Sequence, residues 1–123
     1  VNPLEAVLWL TLNIYHEARG EDALGQLAVA HVTLNRARSQ GLDVKQVVLE
    51  PYQFSWTLQP KKRWWPKDMA ALIGCLDVAV TAVAGHDFTR GATHYHQVSV
   101  IPEWTNRLEF AGAYGLHNFW REK

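Results

Sequence analysis

The stretch from Pro3 to about Arg19 is apolar on nearly every side, through Val7, Leu8, Leu10, Leu12, Ile14 and Ala18, yet it carries Asn13, His16 and Glu17. No other feature narrows the possible folds as much. At about 100° per residue, an apolar run of this kind predicts a helix buried in the middle of a domain. The three polar side chains fall on one face with Trp9 one turn below, so that face is expected to look into a cleft. Gly20 is the expected stop. Neither this run nor any other approaches the roughly 20 consecutive apolar residues needed to cross a bilayer, and no membrane insertion is expected.

The helix must find partners within 123 residues, 48% of them hydrophobic, which predicts one domain, residues 1–123, around one core. Cys75 is the only cysteine, so no internal disulfide can form and the fold must hold by packing. Twelve basic residues balance 12 acidic ones. No whole-molecule field draws the chain to nucleic acid, and specific binding must come from a local site. A monomer is expected. Val1-Asn2-Pro3 shows no basic region followed by a cleavage site, and a start at Val1 fits initiator removal, a trimmed signal or a domain cut from a longer chain.

A second helix is expected from near Asp22 to about Ser39, with Leu27, Val29, Val32 and Leu34 inward and Gln40-Gly41 as its end. Gly25 near its start would let another backbone come close. Asp43 with Gln46 three residues on, a variant of the capping box, predicts a helical turn over Val44 to Leu49. Residues 52–66, rich in aromatic and basic groups, read as an extended loop of functional character. Pro66 is expected at the first position of a third long helix, with Met69, Leu72, Ile73, Leu76, Val80 and Val83 inward and Gly85 at its end. After Gly91 the helical period is lost, and Thr93 to Val98 and Leu108 to Trp120 suggest short strands of a small antiparallel sheet. Helices first and a small sheet late make an α+β domain.

Glu17 has the setting of a proton donor. A carboxyl in the last turn of an apolar helix is pushed toward its neutral form by burial and by the negative end of the helix dipole, and cleavage of a glycosidic bond needs a protonated acid near neutral pH. Arg19 or Arg36 would oppose this if either points at it, and a plain ion pair with one of them is the competing reading. The six tryptophans, spread over the whole chain, suit both a core and sugar stacking.

Tyr15-His16-Glu17-Ala18-Arg19-Gly20-Glu21, then Gly25-Gln26, Ala28-Val29-Ala30 and Leu34-Asn35-Arg36, resemble the cell-wall hydrolases related to the spore-cortex-lytic enzyme SleB. Val47-Val48 before Gln53-Phe54-Ser55, then Ala92-Thr93-His94-Tyr95-His96, Pro102 with Trp104, and Gly115-Leu116-His117-Asn118-Phe119 follow in the family's order. The resemblance spans nearly the whole chain. It implies a lysozyme-like fold, mainly helical with a small antiparallel β element in the last third, that cuts peptidoglycan glycan strands between N-acetylmuramic acid and N-acetylglucosamine. Glu17 then corresponds to the catalytic acid. In a lytic transglycosylase the sugar's own 6-hydroxyl attacks and leaves a 1,6-anhydro end, whereas a muramidase uses water; the sequence leaves both open. No metal or other cofactor is implied. The place of action is the bacterial wall, in the periplasm or outside the cell, as a phage endolysin or a wall-remodelling enzyme.

The resemblance also places Gln53, Phe54 and Ser55 at the cleft, with turn chemistry the alternative for Ser55 and core packing for Phe54, and it sets Tyr95 opposite the acid. Glu21 is a second acid or, more in keeping with its place after a helix-ending glycine, a local loop or cap group. His94 and His96 share a face by strand alternation; they are assigned to substrate binding at the cleft, where the family typically carries an aromatic residue at one of the two positions, although theirs is also the spacing of two metal ligands. His16, His31 or His117 would have to complete a zinc site, and His16-Glu17-Ala18-Arg19-Gly20 lacks the second histidine of the zincin motif. Lys61-Lys62-Arg63-Trp64-Trp65 is either a surface for sugars and acidic stem peptides or a solvated loop whose tryptophans pack on the core. The rivals are therefore a zinc-dependent amidase or peptidase using His94 and His96, and a wall-binding module without chemistry.

Overall fold

The computed structural model describes residues 2–123. Its elements are helices α1 (Pro3–Ala18), α2 (Ala23–Gln40), α3 (Val44–Val48) and α4 (Met69–Ala84), followed by strands β1 (His94–Gln97), β2 (Glu109–Tyr114) and β3 (His117–Arg121). The α+β expectation holds. Helices dominate, and the strands form one antiparallel sheet in the order β1-β3-β2, with Tyr95 opposite Phe119 and a bulge between Phe110 and Gly112.

Local chemistry places most helix ends where the sequence predicts them. Asn2 caps α1 through the amides of Leu4 and Glu5. Asp22 caps α2 through Gly25 N, and Gly41 ends it in the left-handed conformation with its N–H on the carbonyl of Ala37. Asp43 and Gln46 form the expected reciprocal capping box on α3.

Three expectations need correction. Helix α4 starts at Met69 with Asp68 as its cap, not at Pro66. The Tyr15 hydroxyl accepts from the backbone amides of Lys67 and Asp68 and so ties the approach segment to α1. Residues 52–66 are not extended: two 3-10 turns, Ser55–Leu58 and Lys61–Arg63, compact the segment and bury Trp56 between them and α1.

The third correction concerns which apolar faces are inside. On α4, Cys75, Ala79 and Ala82 are buried, while Met69, Ile73, Leu76, Val80 and Val83 are exposed, Ile73 to 64%. Both sets recur at helical spacing about a third of a turn apart, and the small set wins because α1 and α2 pack closely against it. Helix α1 likewise keeps Leu4 and Leu8 in solvent. The central helix is α2, where Gly25, Gln26, Ala28 through Thr33, Asn35 and Ala37 are all buried.

Two packed clusters result. One joins α1, α3, α4 and the aromatic segment around Leu10, Ile14, Phe54 and Trp56. The other joins Ala18, Ala28, Val29 and Val32 to Ala92, Ala111 and Phe119 of the sheet region. The C-terminal turn of α1 reaches the seam between them.

Candidate active site

Asn13, His16 and Glu17 do share a face of α1, but they end in three different settings. Asn13 is fully buried; it donates to Thr33 Oγ1 and accepts from the Trp56 indole N–H at 2.8 Å. His16 stacks on Trp56 with ring centres 4.5 Å apart. Its Nε2 lies 2.8 Å from the Trp64 carbonyl, and since a carbonyl only accepts, Nε2 carries the proton. Glu17, half-buried, faces a groove of about 450 Å³ lined by His16, Glu17, Arg19, Glu21, Gln97 and His117 among others.

Tyr95 meets Glu17 from the sheet. Its hydroxyl donates to Glu17 Oε1 at 2.6 Å, a short O–H···O hydrogen bond. Burial first, and then the charge of Glu17 and the hydrogen bond to it, hold the phenol well above its ordinary pKa, so it remains a donor. His117 and Phe119 flank the ring at 5.2 and 5.6 Å and fix its direction.

Neither arginine forms an ion pair with Glu17. Arg19 lies over the Tyr15 ring and donates to the Tyr15 carbonyl. Arg36 donates through Nε to the Thr93 carbonyl and through Nη1 to Gln53 Oε1, and it covers the face of Phe54. Burial lowers its pKa, while Tyr95, Glu50 and Glu17 pull it back up. Arg36 thus lends positive potential behind the Glu17–Tyr95 pair and joins α2, the segment at Gln53 and β1. The sequence raised Arg36 as a possible partner of Glu17 and placed it in the Asn35-Arg36 piece of the family resemblance, but gave no sign of its bonds to Thr93 and Gln53.

The other predicted site residues separate. Glu21 is tied down, and by distant rather than local groups: Oε1 accepts from the Leu116 amide and from His117 Nδ1, each at 3.0 Å. The cap of α2 belongs to Asp22 instead. Glycine is required around this contact, because a Cβ on Gly115, whose φ is +58°, would overlap Glu21 Oε1, and one on Gly25 would come within 3.3 Å of Gly115 Cα. Phe54 is core. Gln53 is exposed but held by Arg36, and Ser55 is exposed at the first position of its 3-10 turn.

His94 and His96 share a face as alternation predicts, and it is the face turned away from Tyr95. Both rings pack on Trp104, at 5.1 and 5.6 Å, and His96 also stacks on Trp120. His94 Nδ1 pairs with Thr93 Oγ1, and burial followed by Arg36 lowers its pKa. The histidines proposed to complete a metal site are engaged elsewhere: His16 by Trp64, His117 by Glu21, His31 beside Asp87 at 3.8 Å. Among the described residues no three His, Cys, Asp or Glu side chains group to hold a metal.

A half-buried carboxyl that lines an open groove, with a buried hydroxyl bonded to one of its oxygens, can carry a proton to or from a ligand in the groove. Residues 20–120 match the family described as Cell Wall Hydrolase. The spore cortex-lytic enzyme of Halalkalibacterium halodurans is 39% identical over 84 residues, 67% of this chain; the matched part is 24% of that relative, so the chain spans about a quarter of its length. Two solved structures are similar over nearly the whole chain. One is the catalytic domain of the germination-specific lytic transglycosylase SleB from Bacillus anthracis, with a TM-score of 0.77 and 26% identity over 94% of this chain and 93% of that one. The other is the catalytic domain of the Bacillus cereus SleB protein, with a TM-score of 0.71 and 29% identity over 95% and 91%.

Proposed function

Since the chain belongs to the cell wall hydrolase family, we propose that it is a lytic transglycosylase that cuts peptidoglycan glycan strands between N-acetylmuramic acid and N-acetylglucosamine, with Glu17 as general acid and then base. The observation that carries this reading is the 2.6 Å bond from the Tyr95 hydroxyl to Glu17 Oε1. It occupies one carboxyl oxygen and leaves the other, in protonated form, free to face the groove.

In the first half-reaction that oxygen gives its proton to the departing glycosidic oxygen as the bond to the muramyl anomeric carbon breaks. The carboxylate left behind keeps the Tyr95 hydroxyl as a donor, and the positive potential of Arg36 favours the new charge. In the second, the muramyl 6-hydroxyl attacks the same carbon and passes its proton to Glu17, which closes a 1,6-anhydro ring and restores the acid. No water is consumed. Glu21 does not serve as a second acid in this scheme, because its Oε1 is held by Leu116 and His117. Residues 1–123 then act as one catalytic unit, monomeric, at the bacterial wall in the periplasm or outside the cell.

Mass spectrometry of digested sacculi is the test. Anhydro ends are expected; reducing ends would mean that water, not the 6-hydroxyl, attacks. Glu17→Gln should lower the rate by about 10²–10⁴-fold, the range of a lost general acid. Unchanged release of fragments by that variant would end the assignment.

A further inference from the structure

The segment Lys61-Lys62-Arg63-Trp64-Trp65 lines no part of the groove at Glu17, yet it is built into a defined surface. Trp64 is locked: it meets Trp9 and Trp56 edge-on, at 6.3 and 5.4 Å, its indole donates to the Gln59 carbonyl, and its own carbonyl accepts from His16. Trp65 is the opposite, 73% exposed. Two grooves of about 270 and 320 Å³ flank it and share Trp9, Leu12 and Trp65 in their walls. These volumes lie near the lower end for small-ligand sites, which run from about 300 Å³ upward.

The rim is cationic. Lys61 Nζ stands 6.0 Å from the Trp64 ring centre and Lys45 Nζ 5.6 Å from that of Trp9, with Lys62 and Arg63 exposed alongside. No carboxylate lines either groove. Flat indole faces suit the C–H faces of a sugar ring, and unpaired ammonium and guanidinium groups suit carboxylates, so the complement of this surface is an anionic glycan. Trp9 stands eight positions before Glu17 on α1, roughly 12 Å along the helix at about 1.5 Å per residue. The shelf and the groove at Glu17 have no lining residue in common.

We propose that Trp9, Trp64 and Trp65 form a second carbohydrate site, separate from the cleft, that holds a peptide-bearing glycan strand by stacking on Trp65 and by pairing its stem carboxylates with Lys45, Lys61, Lys62 and Arg63. The identity of the ligand rests on the function proposed above. Single-stranded nucleic acid also stacks on aromatics and neutralises cations; the zero net charge of the chain and its family favour the glycan.

The test sediments the Glu17→Gln chain with intact sacculi, with sacculi stripped of stem peptides, and with an oligothymidine competitor. Trp65→Ala should weaken binding to intact sacculi at least about tenfold with an unchanged melting temperature, since the ring is exposed. The triple variant Lys61→Gln, Lys62→Gln, Arg63→Gln should lose several-fold at low salt and match its parent at high salt, where charge is screened; stripped sacculi should bind the parent about as weakly as intact ones bind the triple variant. Full affinity of Trp65→Ala, full affinity of the triple variant at low salt, or stronger binding of oligothymidine than of sacculi overturns the proposal. Fragment release by the wild type is read in parallel. Cleavage with unaltered Trp65→Ala binding removes the shelf alone, and Trp65-dependent binding without cleavage removes the enzyme reading alone.

Discussion

Helices α2 and α4 are of similar length, 18 and 16 residues, and their burial runs against their composition. Helix α4 has one charged residue, Asp77, and exposes Met69, Ile73, Leu76, Val80 and Val83, with Leu72 and Val78 half-buried against the core; α2 carries His31, Asn35, Arg36 and Arg38 and is buried along most of its length. What decides is whether the polar groups find partners and whether the apolar ones fit. Asn35 donates to the Ala92 carbonyl and to Asp87, with Thr89 at the limit of bonding distance, while Asp87 also accepts from the Thr89 and Gly91 amides. A satisfied polar group can be central, and an apolar one can be left outside when the space against its neighbours is too narrow.

That contrast can be broken by experiment. The largest effect is expected from Asn35→Ala, which leaves buried partners unpaired: about 3 kcal/mol of stability lost in urea denaturation, from a charged hydrogen bond and a buried carbonyl. A loss below about 1 kcal/mol would mean that the network around α2 is decorative. On α4, Ala79→Leu places a large side chain on the packed face and should destabilise by about 2 kcal/mol through overpacking.

The buried polar groups of α2 should also make stability depend on pH. Burial lowers the pKa of His31 despite the nearby Asp87. The neutral imidazole is therefore favoured in the fold, and stability is complete above the ordinary value of 6.5 and declines as pH falls below it, because the unfolded chain takes up the proton first. Although burial pushes Asp87 upward, hydrogen bonds from Thr89, Asn35 and Gly91 bring its pKa below the ordinary 3.8. Its contribution is present above 3.8 and is lost as pH falls through its lower folded value. Melting temperatures followed from pH 8 to 3 should show both declines, and His31→Gln should remove only the first. The smallest effect belongs to the outer face of α4: Ile73→Ser should change stability by less than about 0.5 kcal/mol. A larger loss would show that this face is covered in solution.

Much of this was legible in the residues. The start of α2 near Asp22, the capping box at Asp43, the stop at Gly41, the late antiparallel sheet, and the placing of Tyr95 opposite Glu17 through the family resemblance all agree with the structure, whereas the cap of α2 was sought at Glu21 and lies at Asp22. The inward face of α4 was not legible, because Met69-Ile73-Leu76-Val80-Val83 and Cys75-Ala79-Ala82 have the same period, and period says nothing about the distance to the next helix. Glu21 was read as a local group because spacing reveals only near neighbours, whereas its partners Leu116 and His117 lie 95 and 96 positions along the chain. His94 and His96 were paired correctly on one face and assigned to the cleft, because alternation shows which side chains go together but not which side of the sheet the acid occupies.

The chain by itself determined where most helices begin and end and which side chains share a face, since caps and periodicity are properties of a few consecutive residues; the start of α4 was the exception. Only the tertiary structure decided that Glu17 meets Tyr95 while Asn13 and His16 are taken up by Trp56, Thr33 and Trp64. Those pairings join segments tens of residues apart, and they depend on packing distances that no local pattern encodes.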